Sequence, residues 1–189
     1  MLFTTSLLPL LRKSENPRVI SVLAGGKEGQ LWPDDFLLES HYSLGNAAGA
    51  AASMNTLFME ALAAKPENPN VGFIHLFPGL VSDTQNLQQA EHWGWVMRTL
   101  LGWVVLPVLS LFGRKSEEAG ERVLYAGTAG DFGPGGKAVG SDGRSGSGVY
   151  LVQGDSGVVV APEVVKRMRS EGMVEKVEGH TMGVFGSVK

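Results

Sequence analysis

The apolar positions of this chain fall into short blocks whose period changes along the sequence. Arg18-Val-Ile-Ser-Val-Leu-Ala24 is a β-branched run closed by Gly25-Gly26, and it reads as a buried strand. From Asn46 to Lys65 the period becomes helical, with Met54, Leu57, Phe58, Ala61 and Leu62 on one stripe, and Pro66 stops it. The first half of that helix is crowded with Ala and Gly, so another element can approach its backbone closely. A second apolar run, from Val71 to Phe77, ends at Pro78-Gly79. Two buried strands joined by a helix of about five turns make a βαβ unit, whose strands are expected to be parallel.

Beyond this unit the pattern is more broken. Leu7 to Lys13 closes a helix-like segment that Glu15-Asn-Pro17 stops, and Ser116 to Ala126 is compatible with a further helix. Gly148 to Gln153 reads as a third strand, placed at a sheet edge, and Pro162 to Val177 as an amphipathic helix broken at Gly172. The predicted architecture is a single α/β domain over residues 1–189. It is an open, Rossmann-like parallel sheet with flanking helices, in which ligands gather beyond the carboxyl ends of the strands.

One apolar stretch fits no element of that plan. The run from Trp93 to Phe112 carries Arg98 as its only charge and lies in an insertion at about residues 85–115. It reads as a lid over a ligand site or a buried helix, as a helix lying in a membrane interface, or as a span. Gly94, Gly102 and Pro107 argue against the span. At the N-terminus the charges Arg12 and Lys13 follow the apolar run rather than precede it, so no secretory signal is expected.

Composition narrows the function classes. With 16 basic and 19 acidic residues, the net charge of −3 offers no basic face for nucleic acid. There is no Cys, hence no disulfide, thiolate metal site or cysteine nucleophile, which fits a cytoplasmic setting. Gly supplies 26 of 189 residues. The densest cluster, from Gly130 to Gly148, suggests a phosphate cradle but fails on spacing. Asp131 and Ala138 stand where a phosphate-binding loop ending in Gly136-Lys137 needs Gly and a hydroxyl. It reads as a connecting loop.

Few side chains are positioned for chemistry. Tyr42 lies in the loop before the Ala-rich helix. A tyrosine there serves as general acid or base when a nearby cation lowers its pKa from about 10, and otherwise is a surface or packing residue. His75, between Ile74 and Leu76, reads as a satisfied core histidine, and His41 and His92 have no partner at metal-ligand spacing. Trp93, Trp95 and Trp103 read either as pocket lining or as core.

The order Arg18-Val-Ile-Ser-Val-Leu-Ala-Gly25, Tyr42-Ser-Leu, Ala-rich helix, Phe73-Ile-His-Leu-Phe-Pro-Gly79-Leu-Val81 resembles the short-chain dehydrogenase/reductase family. It resembles most a divergent fungal branch, some of whose members serve secondary metabolism. Gly120-Glu-Arg-Val-Leu-Tyr125, Gly146-Ser-Gly-Val-Tyr150 and Gly172-Met-Val-Glu-Lys176 resemble that branch too. The match corresponds to the family's middle and C-terminal portion, which leaves the expectation of a fold without its first third and with an uncovered strand edge.

The resemblance implies an oxidoreductase moving hydride between NAD(P)H and a carbonyl or alcohol. Tyr42 matches the family's acid/base tyrosine. Asn46 stands where the family has its lysine, and Ala24 stands near its serine, with Ser21 facing the other way along the strand. Pro78 and Gly79 match the turn beside the nicotinamide, and Thr84 is the nearest candidate for the threonine that follows it. The glycine-rich pyrophosphate turn has no counterpart. Two readings therefore stand: an NAD(P)-dependent enzyme on a small apolar substrate, or an inactive relative or truncated product that binds an apolar metabolite or a partner. Membrane-surface contact through the run from Trp93 to Phe112 and assembly into a homo-oligomer are further expectations.

Overall fold

A computed structural model describes residues 1–81, 95, 99, 103, 113–133 and 135–187. Its elements run α1 (Leu2–Leu11), β1 (Arg18–Val22), α2 (Leu44–Ala63), β2 (Gly72–Leu76), α3 (Ser116–Thr128), β3 (Val149–Val152), β4 (Val158–Val159), α4 (Glu163–Ser170) and α5 (Met173–Ser187). The sheet order is β1-β2-β3-β4. β1, β2 and β3 are parallel, with Ser21 opposite His75 and His75 opposite Leu151, and β4 is antiparallel to β3. The βαβ unit is present as the periodicity predicts. β3 is not an edge: the two-residue β4 covers it, a strand too short to leave a pattern in the sequence.

The buried strands read as continuous apolar runs because each sheet face is covered. Phe73, Val149 and Leu151 pack with Phe58, Leu62, Met168 and Val177 on the side of α2, α4 and α5. Ile74, Leu76, Tyr150 and Val152 pack with Ala126 and Phe132 on the side of α3. α2 starts at Ser43, whose Oγ accepts the Asn46 N–H at 3.1 Å. The expected broken helix is two helices, α4 and α5, separated at Gly172, whose φ of +69° suits a residue without a side chain.

One stripe of α2 is polar although it faces inward: Gly49, Ser53, Thr56 and Glu60 follow at i, i+4, i+7 and i+11. Each has a partner outside the helix. The Gly49 carbonyl accepts from the Gly29 N–H at 3.0 Å, and Ser53 Oγ donates to the Gly29 carbonyl at 2.6 Å. Thr56 donates to Glu28, while Glu60 accepts from Ser141 Oγ at 2.7 Å and from Arg169 Nε and Nη2 at 2.9 and 2.5 Å. The small-residue half of α2 thus receives the loop that leaves β1, as its composition predicts.

Trp95 and Trp103 are exposed, so neither is a core residue. Trp93, Thr84, His92 and most of the 85–115 insertion lie outside the described residues. No helix among the described residues is long and apolar enough to cross a membrane.

Candidate functional site

The carboxyl ends of β1, β2 and β3 meet at one rim, and glycine lets their turns pack without side chains between them. After β1, a Cβ on Gly25 would lie 2.1 Å from the His75 carbonyl oxygen, and one on Gly26 would lie 2.1 Å from Gln153 Nε2. Gly26 also has φ +83°, in the left-handed region. Gln153, just past β3, donates from Nε2 to the Gly25 carbonyl at 2.8 Å. After β2, Phe77 N–H donates to Val152 O at 2.8 Å, and Pro78-Gly79 turns the chain with Gly79 at φ +88°. Lys27 places its ammonium 5.7 Å from the Phe77 ring centroid, so a cation stands on the β1 side of the rim.

Beneath the β1 turn lies a buried polar chain. The Ala24 N–H points at His75 Nε2, 3.1 Å away. A backbone N–H can only donate, so Nε2 accepts and the imidazole proton sits on Nδ1. Nδ1 is 2.8 Å from Thr56 Oγ1, whose hydroxyl donates to Glu28 Oε1 at 2.8 Å. The same Oε1 accepts the Gly26 N–H at 3.1 Å. His75 and Thr56 are fully buried and Glu28 nearly so. Burial pushes the Glu28 carboxyl up, but the His75 imidazole 3.6 Å away and the bonds from the Thr56 hydroxyl and the Gly26 N–H hold it below its ordinary range. Although a hydroxyl, an imidazole and a carboxylate meet here, they form no hydrolytic triad: His75 has both nitrogens engaged and Thr56 no solvent access.

The residues singled out from sequence are differently placed. Tyr42 is 72% exposed and sits between His41 and the helix cap Ser43. No hydrogen bond of its hydroxyl is found among the described residues. Asn46, at the lysine position, is committed to the loop, its Nδ2 donating to the His41 carbonyl at 2.7 Å. His41 itself stacks on Trp32, with ring centroids 4.6 Å apart, and its Nδ1 lies 2.7 Å from Asp35 Oδ2. The His41 bond and the N–H groups of Ser40, Glu39 and His41 hold the Asp35 carboxyl below its usual range. Ser21 faces α2, where its Oγ accepts from Asn55 Nδ2 at 3.0 Å. Ala24 contributes its backbone N–H. Pro78 and Gly79 are at the rim.

No cluster of three or more His, Asp or Glu suited to a metal is found among the described residues. For a dinucleotide the fit is partial. The Pro78-Gly79 turn leaves β2 at the rim, with Gly79 at φ +88°. The amino end of α2 is already capped by Ser43, and no glycine-rich turn joins a strand to a helix end among the described residues to receive a pyrophosphate.

No family model matches the chain. It is 34% identical over 216 residues to "Oxidoreductase lepF" of Aspergillus flavus, a match covering 98% of the chain and 59% of that relative. It is 32% identical over 196 residues to "Oxidoreductase AN1596" of Emericella nidulans, covering 96% and 57%. With an "NmrA-like family domain-containing oxidoreductase notO" of an Aspergillus species it shares 28% identity over 189 residues, covering 96% and 52%. The chain thus spans little more than half the length of the relatives it matches, and those relatives are named as fungal oxidoreductases.

Proposed function

We propose that the chain belongs to an oxidoreductase of the short-chain dehydrogenase/reductase type, exchanging hydride between NAD(P)H and a carbonyl or alcohol on a small apolar substrate, in fungal secondary metabolism. What supports this reading is the parallel rim of β1, β2 and β3, closed by Gly25-Gly26 and Pro78-Gly79, in a chain similar to proteins named oxidoreductases. The nicotinamide, when bound, supplies hydride. In this reading Pro78 and Gly79 would hold its ring, Thr84 is the candidate to bind its carboxamide, and Tyr42 would pass a proton to the carbonyl oxygen. Titration of NADPH and NADH against the purified chain tests it: saturable binding supports it, and no binding at millimolar cofactor rejects it for this chain.

A second reading is favoured by Asn46. Its amide is spent on the His41 carbonyl, so Tyr42 has no cation four residues on to assist proton transfer. In that case the rim binds an apolar metabolite or a partner without turnover. A chain that binds cofactor yet reduces no carbonyl in single-turnover tests fits this reading and not the first.

A further inference from the structure

The polar chain under the β1 turn closes on itself. Ala24 N–H donates to His75, His75 to Thr56 and Thr56 to Glu28, and Glu28 in turn accepts from Gly26 N–H. Both ends are therefore amides of one turn, two residues apart. The turn between them, Gly25, is held from the far side by Gln153. Neither a buried carboxylate nor a buried imidazole is needed to fill this space. Apolar side chains of the same size would do so without desolvating a charge. What the polar groups provide is direction, since each donor has one acceptor and the turn has one geometry.

We propose that His75, Thr56 and Glu28 are positioning residues, a relay that sets the Ala24–Gly25–Gly26 turn and the Lys27 ammonium beside it as the β1 wall of the ligand site. The role toward a nicotinamide nucleotide rests on the function proposed above, whereas the relay itself does not. All three are buried beneath the turn and act through its two amides. One oxygen of the relay, Glu28 Oε2, is buried and has no hydrogen-bond partner among the described residues, so the carboxylate is oriented through Oε1 by the Thr56 hydroxyl and the Gly26 N–H.

Two measurements on the full chain test this. In the wild-type chain, long-range proton–nitrogen NMR should place the His75 proton on Nδ1, and the Ala24 and Gly26 amides should exchange slowly with solvent. A proton on Nε2, or fast exchange at both amides, overturns the relay without any variant having to fold. Thr56→Val keeps the shape and removes the link. It should shift both amides and weaken NADPH binding about tenfold, the cost of a displaced binding group, and Thr56→Ser should restore both. Thr56→Val binding at wild-type strength overturns the positioning role. Wild-type chain that binds no NADPH overturns the functional reading and the relay's role toward that ligand. A His75 proton on Nδ1 in that same sample would still support the relay.

Discussion

Gly29 and Gly49 lie backbone against backbone. The Gly29 N–H donates to the Gly49 carbonyl at 3.0 Å, and a Cβ on either residue would stand 2.8–2.9 Å from the Cα of the other. This contact docks the loop after β1 onto α2 and brings Glu28 to Thr56. Gly49→Ala gains about 0.5–1 kcal/mol of helix propensity but forces loop and helix apart, at about 1–3 kcal/mol for overpacking. The expected outcome is a net loss of stability, read as a lower urea midpoint. Gly45→Ala, in the same helix with nothing within 4 Å of its Cβ, should move the midpoint upward or not at all. Equal effects of the two substitutions would contradict the contact.

The Glu28 carboxyl is held below its ordinary value of 4.5 in the folded chain. A depressed carboxylate contributes stability that is present above the unfolded-state pKa and lost as pH falls through the folded-state one. Unfolding followed between about pH 3 and 7 should therefore show an acid limb that is shallower in Glu28→Gln. Asp35, Glu118 and Asp142 are shifted the same way, so part of the limb should persist in the variant. Parallel pH curves for wild type and variant would remove Glu28 from this account.

Arg169 clamps Glu60 through two nitrogens, tying α4 to α2, while Ser141 ties the glycine-rich loop to the same carboxylate. Burial pulls the guanidinium pKa down, yet the hydrogen bonds and charge of Glu60 hold it above its ordinary value. A double-mutant cycle with Arg169→Met and Glu60→Gln should give a coupling of about 1–3 kcal/mol. Each single variant should cost more than the pair does, because it strands the other group. Additive effects would mean that the two side chains act independently.

If Tyr42 is the proton donor, Asn46→Lys supplies the missing cation. The exchange gives up the bond to the His41 carbonyl, about 0.5–1.5 kcal/mol. It should raise NADPH-dependent reduction of a test ketone on the order of 10²-fold, and Tyr42→Phe should abolish that gain. An Asn46→Lys chain that binds NADPH but stays silent would favour the non-catalytic reading.

The sheet, its parallel order and the helix between the first two strands were legible because residues such as Phe73 and Ile74 alternate between two packed faces while Leu57, Phe58 and Leu62 keep helical spacing. β4 was not legible, since Val158 and Val159 are too few to show a period. The Gly and Ala run in α2 announced a close neighbour, but only the fold identifies it as Gly29. Glu28, Thr56 and His75 gave no joint signal. They are separated by 28 and 19 residues, and a carboxylate buried by folding looks like any surface glutamate in sequence. Tyr42 was found by its surroundings in the chain, whereas its exposure and the engagement of Asn46 depend on the loop that Asp35 and His41 shape.

The ring of hydrogen bonds through Ala24 also has a kinetic meaning. Its members come from a turn, from the middle of α2 and from β2, so no local segment can assemble it. The full set of bonds that shapes the turn therefore needs both strand pairing and helix docking. The rim should accordingly be among the last parts of the molecule to order during folding. Ligand capacity would then report on the finished fold, and a partly folded chain, however rich in helix and strand, would bind nothing.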